Sequence, residues 1–173
     1  TYQQGGAVTL DLTMIYGDEP DLSTSITPSN VQKPTDSDVV AFHGFDVSVD
    51  GATVTKLQNA TLQLSPNARF HRGNGRHPVD AVIGDVTPTL STTGIYSGPE
   101  EIERAYGSTG ATTPADRLDA VNGTVTTTNG SGTTDTYNLT GLKPQGYNWQ
   151  DLIAADTDLT DPVTYNINDV TVA

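Results

Sequence analysis

Apolar and polar residues alternate over most of this chain, the period-two signature of strands with one buried and one solvated face. Val8, Leu10, Leu12, Met14 and Tyr16 fall on one parity, against Thr9, Asp11, Thr13 and Ile15 on the other, which predicts a strand over 8–16. The alternation resumes over 39–49 and stops at Asp50-Gly51, a pair suited to a tight hairpin because both central residues of a type I′ turn need positive φ. Return strands are predicted over 53–57 and 60–64. Residues 79–96 hold one long strand or two short ones, with Gly84 and Pro88 marking a bulge or an edge. Strands over 121–128 and 134–139 flank Asn129-Gly130-Ser131-Gly132, a second hairpin. The last strand has Val163, Tyr165 and Ile167 on one parity and Val170 and Val172 on the other, so a bulge is expected near Asn168-Asp169.

One helix interrupts this pattern, at about 99–106. Pro99 suits its first turn, Glu100, Glu101 and Glu103 suit the positive end of its dipole, and Gly107 is placed to stop it. Ile102 and Tyr106 share a face that docks on a sheet. Three stretches read as loops: 17–38, rich in Pro, Ser, Thr and Asp; 66–78, rich in basic residues; and 146–161, around Trp149. The expected fold is therefore mainly β, an antiparallel β-sandwich or partly closed barrel with one short helix. It forms a single domain over 1–173, long enough to bury a core.

Several strands carry one face of small polar groups: Thr53 and Thr55; Thr61 and Gln63; Thr87, Thr89 and Ser91; Thr124, Thr126 and Thr128. A solvated exterior of β-branched residues explains them, as does a sheet face lining a water-filled passage. Charge narrows the partners. Asp and Glu number 21 against 8 Lys and Arg, a net charge of −13, and such a surface repels nucleic-acid phosphates. The Asp excess and scarce Lys fit solubility in concentrated salt, where self-repulsion is screened, and also an acidic protein of an ordinary host.

Against that background Arg69, His71, Arg72, Arg76 and His77, with Phe70 among them, crowd into nine positions. So many cations in so short a stretch of an acidic chain ask for an explanation. Trp149, with Tyr147 and Leu152, is a candidate aromatic latch onto a neighbour, or else a cap over the end of the core.

Catalytic and metal chemistry find little footing. No GxSxG elbow occurs, and no histidine sits in a nucleophile motif. His71 and His77 lack a third ligand at fixed spacing, and Gly73-Asn74-Gly75 lacks the Lys-Ser/Thr of a phosphate loop. Asp156, Asp158 and Asp161 lack the Gly and Glu of an EF-hand and read as solvated surface acid. No enzyme activity, cofactor or metal is expected. With no Cys there is neither a disulfide framework nor a thiol nucleophile. No apolar run approaches the ~20 residues that span a bilayer, so no membrane partner is expected. The chain opens at Thr1 without an initiator Met, which suggests processing or a missing leading piece, and its start lacks the regions of a signal peptide. Glycosylation sequons at Asn59, Asn122, Asn129 and Asn138 raise a competing class, a cell-surface or secreted β-sandwich used in adhesion or a surface layer of a halophile.

The run from 61 to 107 resembles the tail tube proteins of tailed phages and of archaeal viruses with long non-contractile tails. The matching residues are TLQLSPN at 61–67, GNGRHPVDAVIGD at 73–85, VTPTLST at 86–92 and PEEIERAYG at 99–107; the C-terminal strands match more loosely. The resemblance implies a structural virion protein of the tail, assembled in the host cytoplasm. Its copies would close hexameric rings that stack into a tube and meet other tail proteins at the tube ends. Each copy would add strands to one continuous inner barrel through which DNA passes transiently and without sequence preference. On that reading Thr61, Gln63, Thr87, Thr89, Ser91, Thr126 and Thr128 are the lumen-facing candidates. Arg69, Phe70, His71, Arg72, Arg76, His77 and Trp149 are the contact candidates between subunits or rings.

Overall fold

A computed structural model describes residues 1–15, 35–75, 78–96, 98–108, 110–147 and 159–173. In chain order the elements are β1 (Tyr2–Gln3), β2 (Phe45–Val49), β3 (Ala52–Thr53), β4 (Leu57–Gln63), β5 (Pro66–Arg72), β6 (Pro78–Val86) and β7 (Thr89–Ile95). Then follow α1 (Glu100–Tyr106), β8 (Val121–Thr128), β9 (Thr134–Tyr147), β10 (Thr160–Asn166) and β11 (Asp169–Val172). Nine strands form one antiparallel sheet in the order β1-β4-β7-β10-β9-β8-β2-β3, with β11 also paired to β9. This sheet curls over its own core without closing into a barrel. Its two ends approach where Tyr2 of β1 stacks on Phe45 of β2, ring centroids 4.7 Å apart. β5 and β6 form a separate two-stranded sheet.

Register explains the core. The rows Ala60–Thr92–Val163 and Leu62–Leu90–Tyr165 cross β4, β7 and β10, and Val47–Val125–Tyr137 crosses β2, β8 and β9. These inward rows, with Leu139 and Leu142, make one buried cluster. Leu90, at 0% exposure, lies in the middle of its row. Leu90→Ala should cost about 2–5 kcal/mol by chemical denaturation, since transfer and cavity terms both apply at a site that cannot collapse.

The turns follow the sequence. Asp50 and Gly51 both have positive φ, 55° and 75°, and join β2 to β3. Gly107, at φ 109°, caps α1, its N–H donating to Glu103 O at 2.9 Å. Ile102 of that helix is buried, as its face predicted. The chain breaks between β6 and β7 at Thr87-Pro88, so 79–96 holds two strands.

Five expectations are corrected. The return strand over 53–57 ends at Thr53, and the chain turns through Lys56, at φ 60°, into β4. Residues 8–15 are not a strand: beyond Val8, whose N–H donates to Val40 O, and Thr9, which bonds Thr1, no described strand pairs with them, and Leu10, Leu12 and Met14 are exposed. Over 39–49 only β2 is strand, because Phe42–Gly44 forms a 3-10 turn. The basic segment is a strand through Arg72, not a loop. β9 continues to Tyr147, since Pro144 falls at a bulge opposite Tyr165, where its missing N–H breaks no ladder bond. Most of the expected 17–38 loop lies outside the described residues. Asp38, at its far end, has its carboxylate pKa lowered by hydrogen bonds from the Thr35 backbone N–H and hydroxyl, 2.7 Å each.

Candidate assembly surfaces

The face of the main sheet turned away from the core is built by the same register that builds the core. Thr61 of β4 stands opposite Ser91 of β7, which stands opposite Thr164 of β10; Ser91 Oγ and Thr164 Oγ1 are hydrogen-bonded at 3.1 Å. The next row is Gln63–Thr89–Asn166. On the other half of the sheet, Asp46–Thr126–Thr136 and Ser48–Thr124–Asn138 cross β2, β8 and β9. Thr128 hydrogen-bonds Thr134 through their hydroxyls at 3.0 Å. Thr61, Gln63, Thr89 and Ser91 are thus brought together, and Thr126 and Thr128 lie on the same outward face of β8. Thr87 is exposed in the turn between β6 and β7 and does not share the sheet face. Thr164 and Asn166 belong to the face but were not among the lumen candidates; their alternation with Val163 and Tyr165 was the available signal. Among the described residues of the main sheet's strands, Lys143 is the only Lys or Arg.

The second surface is the hairpin β5–β6. Its register sets Ala68 against Ile83 and Phe70 against Ala81, and on the opposite face Arg69 against Val82 and His71 against Asp80. One face is therefore apolar, and the other carries Arg69 and His71 together with Val82 and Asp80. Val79 and Ile83 are 75% and 71% exposed, and Arg69, His71 and Arg72 are exposed as well. Among the described residues Arg69 and Arg72 make no ion pair. Sequence reasoning found the basic residues but missed the apolar face between them, although Ala68, Phe70, Ala81 and Ile83 alternate in plain view. Arg76, His77 and Trp149 lie outside the described residues.

A third feature is a cleft of about 230 Å³ beside α1, lined by Thr92, Glu100, Arg104, Asp161 and Val163. Arg104 Nη1 donates to the Tyr165 hydroxyl at 3.5 Å. Asp161 is buried in β10 opposite Gly94, which corrects its reading as solvated loop acid; Asp156 and Asp158 lie outside the described residues. No group of three or more His, Asp or Glu placed to hold a metal occurs among the described residues, and none of their helices is long and apolar enough to cross a membrane.

The sequence matches no protein-family model and no curated protein. Solved structures do match. A chain of the sheath–tube complex of an extracellular contractile injection system (PVC, extended state) aligns at TM-score 0.59 and 16% identity, over 86% of this chain and 99% of that one. The tube-terminating cap of the anti-feeding prophage gives TM-score 0.57 at 16% identity, over 90% and 99%. The six-fold symmetrised baseplate of the same prophage gives 0.52 at 14%, over 83% and 97%. The fold is tail-tube-like. At this level of identity the likeness concerns the fold. It lies with contractile assemblies, whereas the resemblance in the sequence was to long non-contractile tails.

Proposed function

We propose that this chain is a structural, non-enzymatic protomer that self-associates into stacked hexameric rings, forming a viral tail tube through which DNA passes. The observation that carries this reading is the outward sheet face, whose hydroxyl and amide rows span β4, β7 and β10 and whose strands hold one cation, Lys143. Lys and Arg contacts to phosphates dominate the affinity of proteins for DNA. A wall of Thr, Ser, Gln and Asn gives a duplex water-like contacts and almost no electrostatic anchor, so the duplex slides.

Self-association answers the rest of the geometry. The main sheet ends in β1 and β3, two residues each, so among the described residues most of the outer edge of β4 is unpaired. Open edges are templates for another chain, and a ring that continues the sheet from copy to copy leaves none. Stacking acidic rings brings like charge together, and Arg69 and Arg72 on the hairpin offset it. In concentrated salt these exposed pairs are screened, and apolar contacts around Phe70 and Ile83 supply most of the stacking energy. We place the protein in the tail of a virus of a halophilic host, with other tail proteins at the tube ends.

Purified protein in molar salt should show annuli or tubes by negative-stain microscopy; a monodisperse folded monomer would refute the reading. Reversing charge with Arg69→Glu and Arg72→Glu should weaken stacking at the lowest salt that supports assembly and matter less as salt rises. Stacking that is unchanged at every salt concentration would remove the two arginines from the interface.

A further inference from the structure

Two surfaces of the protomer are each half of something. Residues 10–15 alternate like a strand but pair with no described strand: Leu10, Leu12 and Met14 are 79%, 72% and 80% exposed, on one parity, with Asp11, Thr13 and the 49% exposed Ile15 on the other. The segment's root is held by the Val8–Val40 and Thr9–Thr1 backbone bonds and by the Ala7–Ala41 bridge, and beyond it no hydrogen bond joins 10–15 to another described residue. The hairpin β5–β6 has no third strand among the described residues, and none of them pairs with either outer edge. Two-stranded sheets are marginal alone, and an open edge accepts an extended chain readily.

We propose that residues 10–15 of one copy add as a third strand to the β5 edge of the hairpin of a neighbouring copy. This deepens the tube reading and rests on it. Parity and charge select both the face and the edge. Seating Leu10, Leu12 and Met14 on the face of Phe70 and Ala68 extends the hairpin's apolar side across three strands. It also puts Asp11 on the opposite face, beside Arg69 and His71, the exposed basic residues of β5. The β6 edge is disfavoured because its polar side presents Asp80, and like charges on adjacent strands repel. Six residues are close to the seven of β5, so nearly the whole edge is covered. The occupant is a second copy because, within the protomer, the segment is rooted against residues 40 and 41 and, among the described residues, no backbone hydrogen bond joins it to the hairpin.

Hydrogen exchange on the full chain tests this directly, comparing the assembled particle with protomers dissociated by dilution. Amides of 10–15 should exchange freely in the protomer and at least 100-fold more slowly in the assembly. Leu12→Asp should remove that protection and weaken association tenfold or more, with the protomer still folded because the residue is exposed. Asp11→Lys should weaken association at the lowest salt that supports it, and Arg69→Glu in the same chain should restore it. Rings or tubes in which 10–15 stay unprotected would overturn the strand exchange while leaving the tube reading standing. Protection already present in dilute protomers would mean that a chain binds its own segment, and would overturn it too. Failure of the wild-type chain to associate at all would overturn both.

Discussion

Replacing Ile83 by Asp should leave the protomer folded and abolish its assembly. Ile83 is 71% exposed on the apolar face of β5–β6, so the protomer loses almost no burial. Surface changes of this kind usually stay within about 0.5 kcal/mol of neutral. In the stacking proposed above, the same side chain lies against a neighbour. Burying an isoleucine contributes about 1.5–3 kcal/mol, and a carboxylate left at that contact adds a desolvation cost. Each contact then weakens by tenfold or more, at about 1.4 kcal/mol per factor of ten, and the loss recurs at every copy. Denaturant midpoints and sedimentation velocity on one preparation separate the two effects. Unchanged sedimentation would mean that the hairpin's apolar face points to solvent in the particle.

The second large effect concerns the passage of DNA. Ser91 is exposed at the centre of the row Thr61–Ser91–Thr164, so Ser91→Arg adds a cation to the polar face without touching the core. In a ring of six copies this adds six cations around the bore. Tubes fixed by cross-linking should then retain duplex DNA, with affinity falling on a log–log salt plot with a slope of about −5, near 0.9 per phosphate contact. Wild-type tubes should show weak retention and a shallow slope. Equal retention by both would place the Thr61–Ser91–Thr164 row outside the lumen.

Local chemistry made much of the fold legible. Asp50-Gly51 and Gly107 were readable because positive φ restricts which residues fit. The β4, β7 and β8 faces were readable because core rows and hydroxyl rows alternate strictly. What escaped has a physical reason in each case. Alternation over 8–16 signals a chain able to pair without saying what it pairs with, and among the described residues no strand pairs with 10–15. Arg69, His71 and Arg72 hid a strand, because charge on one face of a hairpin looks like the composition of a loop. Pro144 hid the length of β9, because a bulge in the ladder is invisible in the sequence. Of the two surfaces, the polar face was foreseen in kind; the alternation of Thr164 and Asn166 with Val163 and Tyr165 could have added them to it, and the turn at Thr87-Pro88 is what takes Thr87 off it.

A cryo-microscopy reconstruction of the wild-type particle formed in molar salt tests the central claim most directly. The account predicts a ring whose sheets run on from copy to copy, with Thr61, Ser91 and Thr164 facing an open bore. Separate protomers with no sheet shared between them, or a ring with that row on its outer wall, would contradict it.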